Sequence, residues 1–100
     1  MRIIARRTLR QFWEAHQRNR AAKTPLEDWY AQISAADWAT PAEVKAQFGD
    51  ASILQGGRVI FNIGGNKYRL VVRINYPYRV VYIRFVGTHA EYDEIDAGTI

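Results

Sequence analysis

The apolar residues of this 100-residue chain change period once, at Gly56-Gly57, and that change limits the folds open to it. Upstream, Leu9, Phe12, Trp13 and His16 recur at i, i+3, i+4, i+7, and Leu26, Trp29, Tyr30 and Ile33 repeat the stripe, so each set lies on one face of a helix. Thr8 with Gln11 three residues later forms a capping box that predicts the first helix start. Thr24-Pro25 predicts the second, with proline at the first helical position, where its missing N–H costs nothing. Thr40-Pro41 opens a short third piece with Val44 and Phe48 as its stripe, and Gly49 suits a left-handed cap after it. His16, at the end of an apolar stripe, is expected to be a packed core or boundary residue.

Downstream, the period is two. Val59–Ile63 reads as a short apolar strand, and Gly64-Gly65-Asn66 as a hairpin turn, because Gly and Asn tolerate positive φ. Lys67–Tyr76 alternates: Tyr68, Leu70, Val72, Ile74 and Tyr76 face one way, and Lys67, Arg69, Val71, Arg73 and Asn75 the other. In Arg79–Val86, Val81, Ile83 and Phe85 oppose Val80, Tyr82, Arg84 and Val86. A turn at Tyr76–Arg79 sets Arg73 near Tyr82 and Arg84 beside Val71. Met1–Ala5 offers a further strand. Thr88-His89-Ala90-Glu91 is a second capping box, starting a short C-terminal helix through Tyr92 and Ile95. The expected fold is α+β, one domain over residues 1–100, with helices on one face of a small antiparallel-rich sheet.

Composition removes several function classes. The chain has no cysteine, so disulfides, thiolate metal sites and thiol nucleophiles are absent, and two histidines alone make a dedicated metal site unexpected. No cofactor is implied. No apolar run approaches the ~18 residues of a membrane span, and the arginine-rich start lacks a signal peptide's apolar stretch, so a soluble cytoplasmic protein without membrane association is expected. The net charge of +4 conceals segregation. Residues 1–23 carry seven cations and one acid, and residues 58–90 carry six cations and no acid, whereas residues 24–57 and 91–100 are acidic. Eleven of the fourteen cations are arginine, the residue suited to phosphate contact and base stacking. A 33-residue stretch of cations and tyrosines without a carboxylate reads as a polyanion-binding surface. The competing reading is that these arginines pair with the acids of the other two segments.

No carboxylate lies between Asp50 and Glu91, so a paired-carboxylate hydrolase has no place on the sheet. His89 falls just inside a helix start, with Tyr92 three residues on, so both reach the end of the basic face. There a phosphate would meet an imidazole, a phenol, Lys67 and Arg69.

Two blocks carry a resemblance. Phe61-Asn62-Ile63-Gly64-Gly65-Asn66-Lys67-Tyr68-Arg69-Leu70 and Gly87-Thr88-His89-Ala90-Glu91-Tyr92-Asp93 resemble the HigB-type toxins of bacterial toxin–antitoxin systems, within the RelE-like messenger-RNA endonucleases. The resemblance implies a RelE-like α+β fold and a small ribonuclease that cleaves mRNA, commonly on the ribosome. It also implies a cognate helix-turn-helix antitoxin, HigA-like, that holds the toxin inactive in a hetero-oligomer. Arg69, His89 and Tyr92 carry over most directly as catalytic residues, and Lys67 joins them. Arg73 and Arg84, with Tyr82 as a stacking aromatic, are expected to bind the RNA strand. Metal-free cleavage by the 2′-hydroxyl would use Arg69 and Lys67 against developing charge and His89 for proton transfer. Tyr92 would orient the phosphate or share that transfer. The alternatives are a non-catalytic RNA- or ribosome-binding module and a domain whose basic face receives an acidic protein.

Overall fold

A computed structural model describes all residues, Met1–Ile100. The order is β1 (Arg2–Ile4), α1 (Arg6–Ala15), a 3₁₀ segment (Gln17–Ala22), α2 (Lys23–Ala35), α3 (Pro41–Gln47), β2 (Ser52–Ile53), β3 (Arg58–Ile63), β4 (Tyr68–Asn75), β5 (Val80–Thr88) and α4 (His89–Tyr92). One mixed sheet runs β1-β5-β4-β3-β2, with β1 parallel to β5 and the other neighbours antiparallel. The α+β expectation holds, including the extra N-terminal strand.

The helices cover one sheet face because their apolar stripes need it. Leu9, Trp13, Leu26, Trp29 and Ile33 are buried against Val59, Phe61, Ile63, Leu70, Val72, Ile74 and Val81. Phe61 is the hub. Its ring lies 5.1 Å from Phe48 and 5.5 Å from Trp29, both edge-on, and 6.4 Å from Trp38. Offset and edge-on rings add to simple area burial.

Two helix starts differ from the sequence reading. Ala5, not Thr8, caps α1, and the first turn closes through the Thr8 N–H to the Ala5 carbonyl at 3.1 Å. α2 begins at Lys23 because the 3₁₀ segment feeds directly into it, leaving Pro25 in the first turn, where amide hydrogens have no helical partner. Thr40 does cap α3, accepting from the Glu43 N–H. Gly49 is not left-handed; Phe48, at φ −123°, ends that helix. His16 caps the C-terminal end of α1 and is exposed, because the helix stops before its stripe can turn it inward.

The largest revision lies in β5. Val72 pairs with Ile83 and Val71 with Phe85, so Arg84 is an extra, bulged residue. The bulge keeps Arg84 and Phe85 on the same side and returns Val86 to the helix side. Strict alternation would place Phe85 with the helical core; it packs instead on the far face, with Ile60, Val71 and Ala97. That far face has its own cover. After α4, which ends at Tyr92 rather than Ile95, residues 93–100 fold back, and Ile95, Ala97 and Ile100 pack with Tyr92 and Leu54 over Ile60 and Val71. Strand β4 is therefore buried on both sides at its middle.

Phe61→Ala should lower stability by about 3–5 kcal/mol, the cost of emptying a buried aromatic site. That is a large part of the roughly 5–15 kcal/mol total of a typical protein. Urea unfolding followed by tryptophan fluorescence measures it.

Candidate functional site

The face opposite the helices carries two groups of polar side chains. At one end, the four-residue turn Gly64–Lys67 joins β3 to β4, with both glycines at positive φ (62° and 69°). Lys67 lies in this turn rather than in the strand, exposed, and its carbonyl accepts the His89 N–H at 3.1 Å. Arg69 lies opposite Gly87. A side chain at Gly87 would stand 2.6 Å from the Phe85 ring, so the bulge that turns Phe85 outward also demands glycine two residues later. Thr88 and Glu91 then form the predicted capping box, with bonds of 3.2 and 2.8 Å, and set His89 beside the turn. Lys67, Arg69 and His89 thus meet at one corner.

Arg69 is half-buried and folds back on the turn. Its guanidinium donates to Asn66 Oδ1 at 2.6 Å and to the carbonyls of Tyr68 and Asn66 at 3.3 and 3.4 Å. These acceptors hold the group without cancelling its charge, because none is a carboxylate. His89 is half-exposed, and its Nδ1 lies 3.2 Å from Asp93 Oδ2. That carboxylate lies beside Nδ1 and leaves the Nε2 edge of the ring without a protein partner. Tyr92 is near the same corner but half-buried, packed against the cluster of Ile60, Val71 and Ala97.

At the other end, Arg73 faces Tyr82 across β4 and β5, with the bulged Arg84 beyond. All three line a cavity of about 760 Å³ that Leu54, Gly57, Asn75 and Tyr76 also border. Arg58, which the sequence reading did not single out, lies on β3 directly opposite Arg73, and its Nε donates to the Ile100 backbone oxygen at 2.8 Å. Its signal was the β3–β4 register, which the strand pattern alone left open. Like charges directly opposite on neighbouring strands are unfavourable, and the Ile100 oxygen on Arg58 leaves Arg73 as the cation of this pair that faces the cavity. The two ends do not form one surface. Arg69 and Arg73 are four residues apart on β4, about 13 Å at roughly 3.3 Å per residue. Between them, Val71 is sealed by the C-terminal segment.

The competing reading, pairing with the acidic segments, applies to one arginine. Arg79 Nε lies 2.7 Å from Asp37 Oδ1; apart from His89–Asp93, this is the only ion pair in the chain. Arg69, Arg73 and Arg84 have no carboxylate partner.

The family model for HigB toxins, the RelE-like toxic component of a toxin-antitoxin system, matches residues 22–95. The chain belongs to the HigB toxin family. Among its relatives is the mRNA interferase toxin HigB of Escherichia coli K12, 30% identical over 95 residues that span 93% of this chain and 88% of that protein. The mRNA interferase HigB of Shigella flexneri is similar to the same extent. That of E. coli O6:H1 strain CFT073 is 28% identical over 72 residues, 70% of each chain. The family model runs from the start of α2 to Ile95, so it takes in both ends of the cationic face.

The Tyr76 side chain packs against the helical core. Its phenol oxygen is buried without a hydrogen-bond partner, and that burial raises its pKa above the ordinary 10.0. The folded state holds this proton more tightly than the unfolded chain does. Its contribution is complete below about pH 10 and is lost as pH rises through the elevated folded value. Tyr76→Phe removes the unsatisfied hydroxyl, so its melting temperature at neutral pH should equal or exceed the parent's. Its fall in melting temperature above about pH 10 should be shallower than the parent's. Thermal melts across that range measure both.

Proposed function

We propose that this chain is an endoribonuclease toxin that cleaves messenger RNA on the translating ribosome and is held inactive by a cognate helix-turn-helix antitoxin. The observation that carries the reading is the corner where Lys67, Arg69 and His89 converge on a sheet face where Arg69, Arg73 and Arg84 have no carboxylate partner. The mRNA interferase names of the HigB relatives support the same activity.

The cleavage needs no group beyond these side chains and the RNA. The 2′-hydroxyl oxygen attacks the adjacent phosphorus, the bond from phosphorus to the 5′-oxygen breaks, and a 2′,3′-cyclic phosphate and a 5′-hydroxyl result. A base takes the 2′ proton and an acid supplies one to the departing 5′-oxygen. His89, oriented by Asp93, is the proton-transfer group. Arg69, held by Asn66 and the turn carbonyls, and the exposed Lys67 stabilise the negative charge that grows on the phosphorane oxygens. Pre-positioned cations are commonly the largest catalytic contribution, because they need no reorganisation as charge develops. The Tyr92 ring anchors α4, and its hydroxyl orients the phosphate or shares proton transfer. Arg73, Arg84 and Tyr82 hold the strand further along the sheet.

His89→Gln should lower the single-turnover cleavage rate of ribosome-bound mRNA about 10²–10⁴-fold, the usual contribution of a general acid–base group. Ribosome binding should persist, since a neutral side chain of similar size remains. An unchanged rate would remove His89 from the chemistry.

Arg69→Glu should abolish growth arrest when the protein is induced alone in bacteria. Because Arg69 also ties down the Gly64–Lys67 turn, that variant should also lose about 1–3 kcal/mol of stability. Arg69→Lys restores charge without the three-acceptor clamp and should regain only part of the toxicity. Growth arrest by Arg69→Glu at the parent's level would show that this guanidinium does not act on the phosphate.

A further inference from the structure

Resting on the RNA-cleaving reading, we propose that the cavity bordered by Arg73, Tyr82 and Arg84 is a pocket for one unstacked nucleotide of the bound RNA strand. The pocket contributes to base preference at a distance from the cleaved bond. Its volume of about 760 Å³ falls within the roughly 300–1,000 Å³ of small-molecule pockets. Its chemistry is divided as a nucleotide requires. Arg73 and Arg84 supply positive charge with no carboxylate partner. Tyr82 is 37% exposed, a large aromatic left partly open at the cavity, which suits stacking on a base.

The wall also offers a hydrogen-bonding group free for a base edge. Asn75 Oδ1 accepts the Tyr78 N–H at 3.3 Å, which leaves its amide NH₂ as a donor. Gly57, at φ 77°, stands where a side chain would meet the Ile74 carbonyl at 2.6 Å, so the backbone comes to the cavity bare. The C-terminal segment sealing Val71 separates this pocket from the Arg69–His89 corner, so a strand reaching both must pass over or around residues 93–100. A nucleotide held here is therefore not the one that is cut.

The test begins with binding, read without any cleavage. The four ribonucleoside 5′-monophosphates are titrated into the isotopically labelled full chain, and the amide resonances of Gly56, Gly57 and Asn75 are followed. Saturable shifts that differ among the four bases are expected, and Tyr82→Ala should weaken binding about 5–100-fold, the range of one base–aromatic stack. Tyr82→Phe keeps the ring and should bind as the parent does. Inorganic phosphate moving the same amides as strongly as the nucleotides would reduce the site to an anion contact and overturn the proposal. So would an undiminished affinity in Tyr82→Ala. The second arm maps cleavage sites. Tyr82→Ala should flatten the base frequencies flanking the cut, and an unchanged map overturns the proposal. Nucleotide binding by a parent that cuts no RNA would sink the nuclease reading while supporting the pocket, so the two fail separately.

Discussion

The middle of β4 is enclosed from both sides, and most of the molecule's organisation comes from satisfying that strand. On one side Leu70, Val72 and Ile74 meet the helices; on the other Val71 meets Ile60, Phe85 and Ala97. A strand buried on both faces needs two separate apolar covers. The N-terminal half of the chain supplies one as helices, and the last eight residues supply the other as an irregular segment. The β5 bulge links the two requirements. One extra residue turns Phe85 outward to join the second cover, brings Arg84 alongside it, and returns Val86 to the helical side.

This enclosure shapes the functional face as much as the charges do. With Val71 left open, Arg69 and Arg73 would belong to one cationic strip along the strand. The C-terminal segment divides that strip into a corner with Lys67, Arg69 and His89 and a cavity with Arg73, Tyr82 and Arg84. The division suits a ribonuclease. The corner presents fixed cations and an imidazole beside Asp93, whereas the cavity offers volume, an aromatic ring and the Asn75 amide. Family membership is set by residues 22–95, which include both groups and the strands that carry them.

Much of the fold was legible because it rests on local rules. The two helical stripes, the Thr40 and Thr88 caps, the Gly64-Gly65 turn and the pairing of Arg73 with Tyr82 all derive from periodicity, capping chemistry and turn length. The errors came where a neighbour overrode a local signal. Thr8 and Gln11 match a capping box, yet β1 delivers the chain into α1 three residues earlier. Gly49 looks like a left-handed cap, but Phe48 must turn into the aromatic cluster around Phe61 and ends the helix itself. Phe85 fits the alternation of β5, and only the pairing partner shows that the alternation slips by one at Arg84.

By itself, the sequence determined the α+β class, the acid-free basic sheet and the residue types able to handle a phosphate, since each depends on neighbours in the chain or on composition. The tertiary structure decided which of those residues meet. His89 joins Lys67 through a backbone hydrogen bond across the sheet end, Asp93 lies beside the imidazole, Arg58 comes opposite Arg73, and the final residues part the face in two. The physical reason is that strand register and the return of a chain end over a sheet are set by packing between distant segments. A single extra residue in β5 inverts the facing of every later residue in that strand, and no local pattern of period two records where the extra residue is placed.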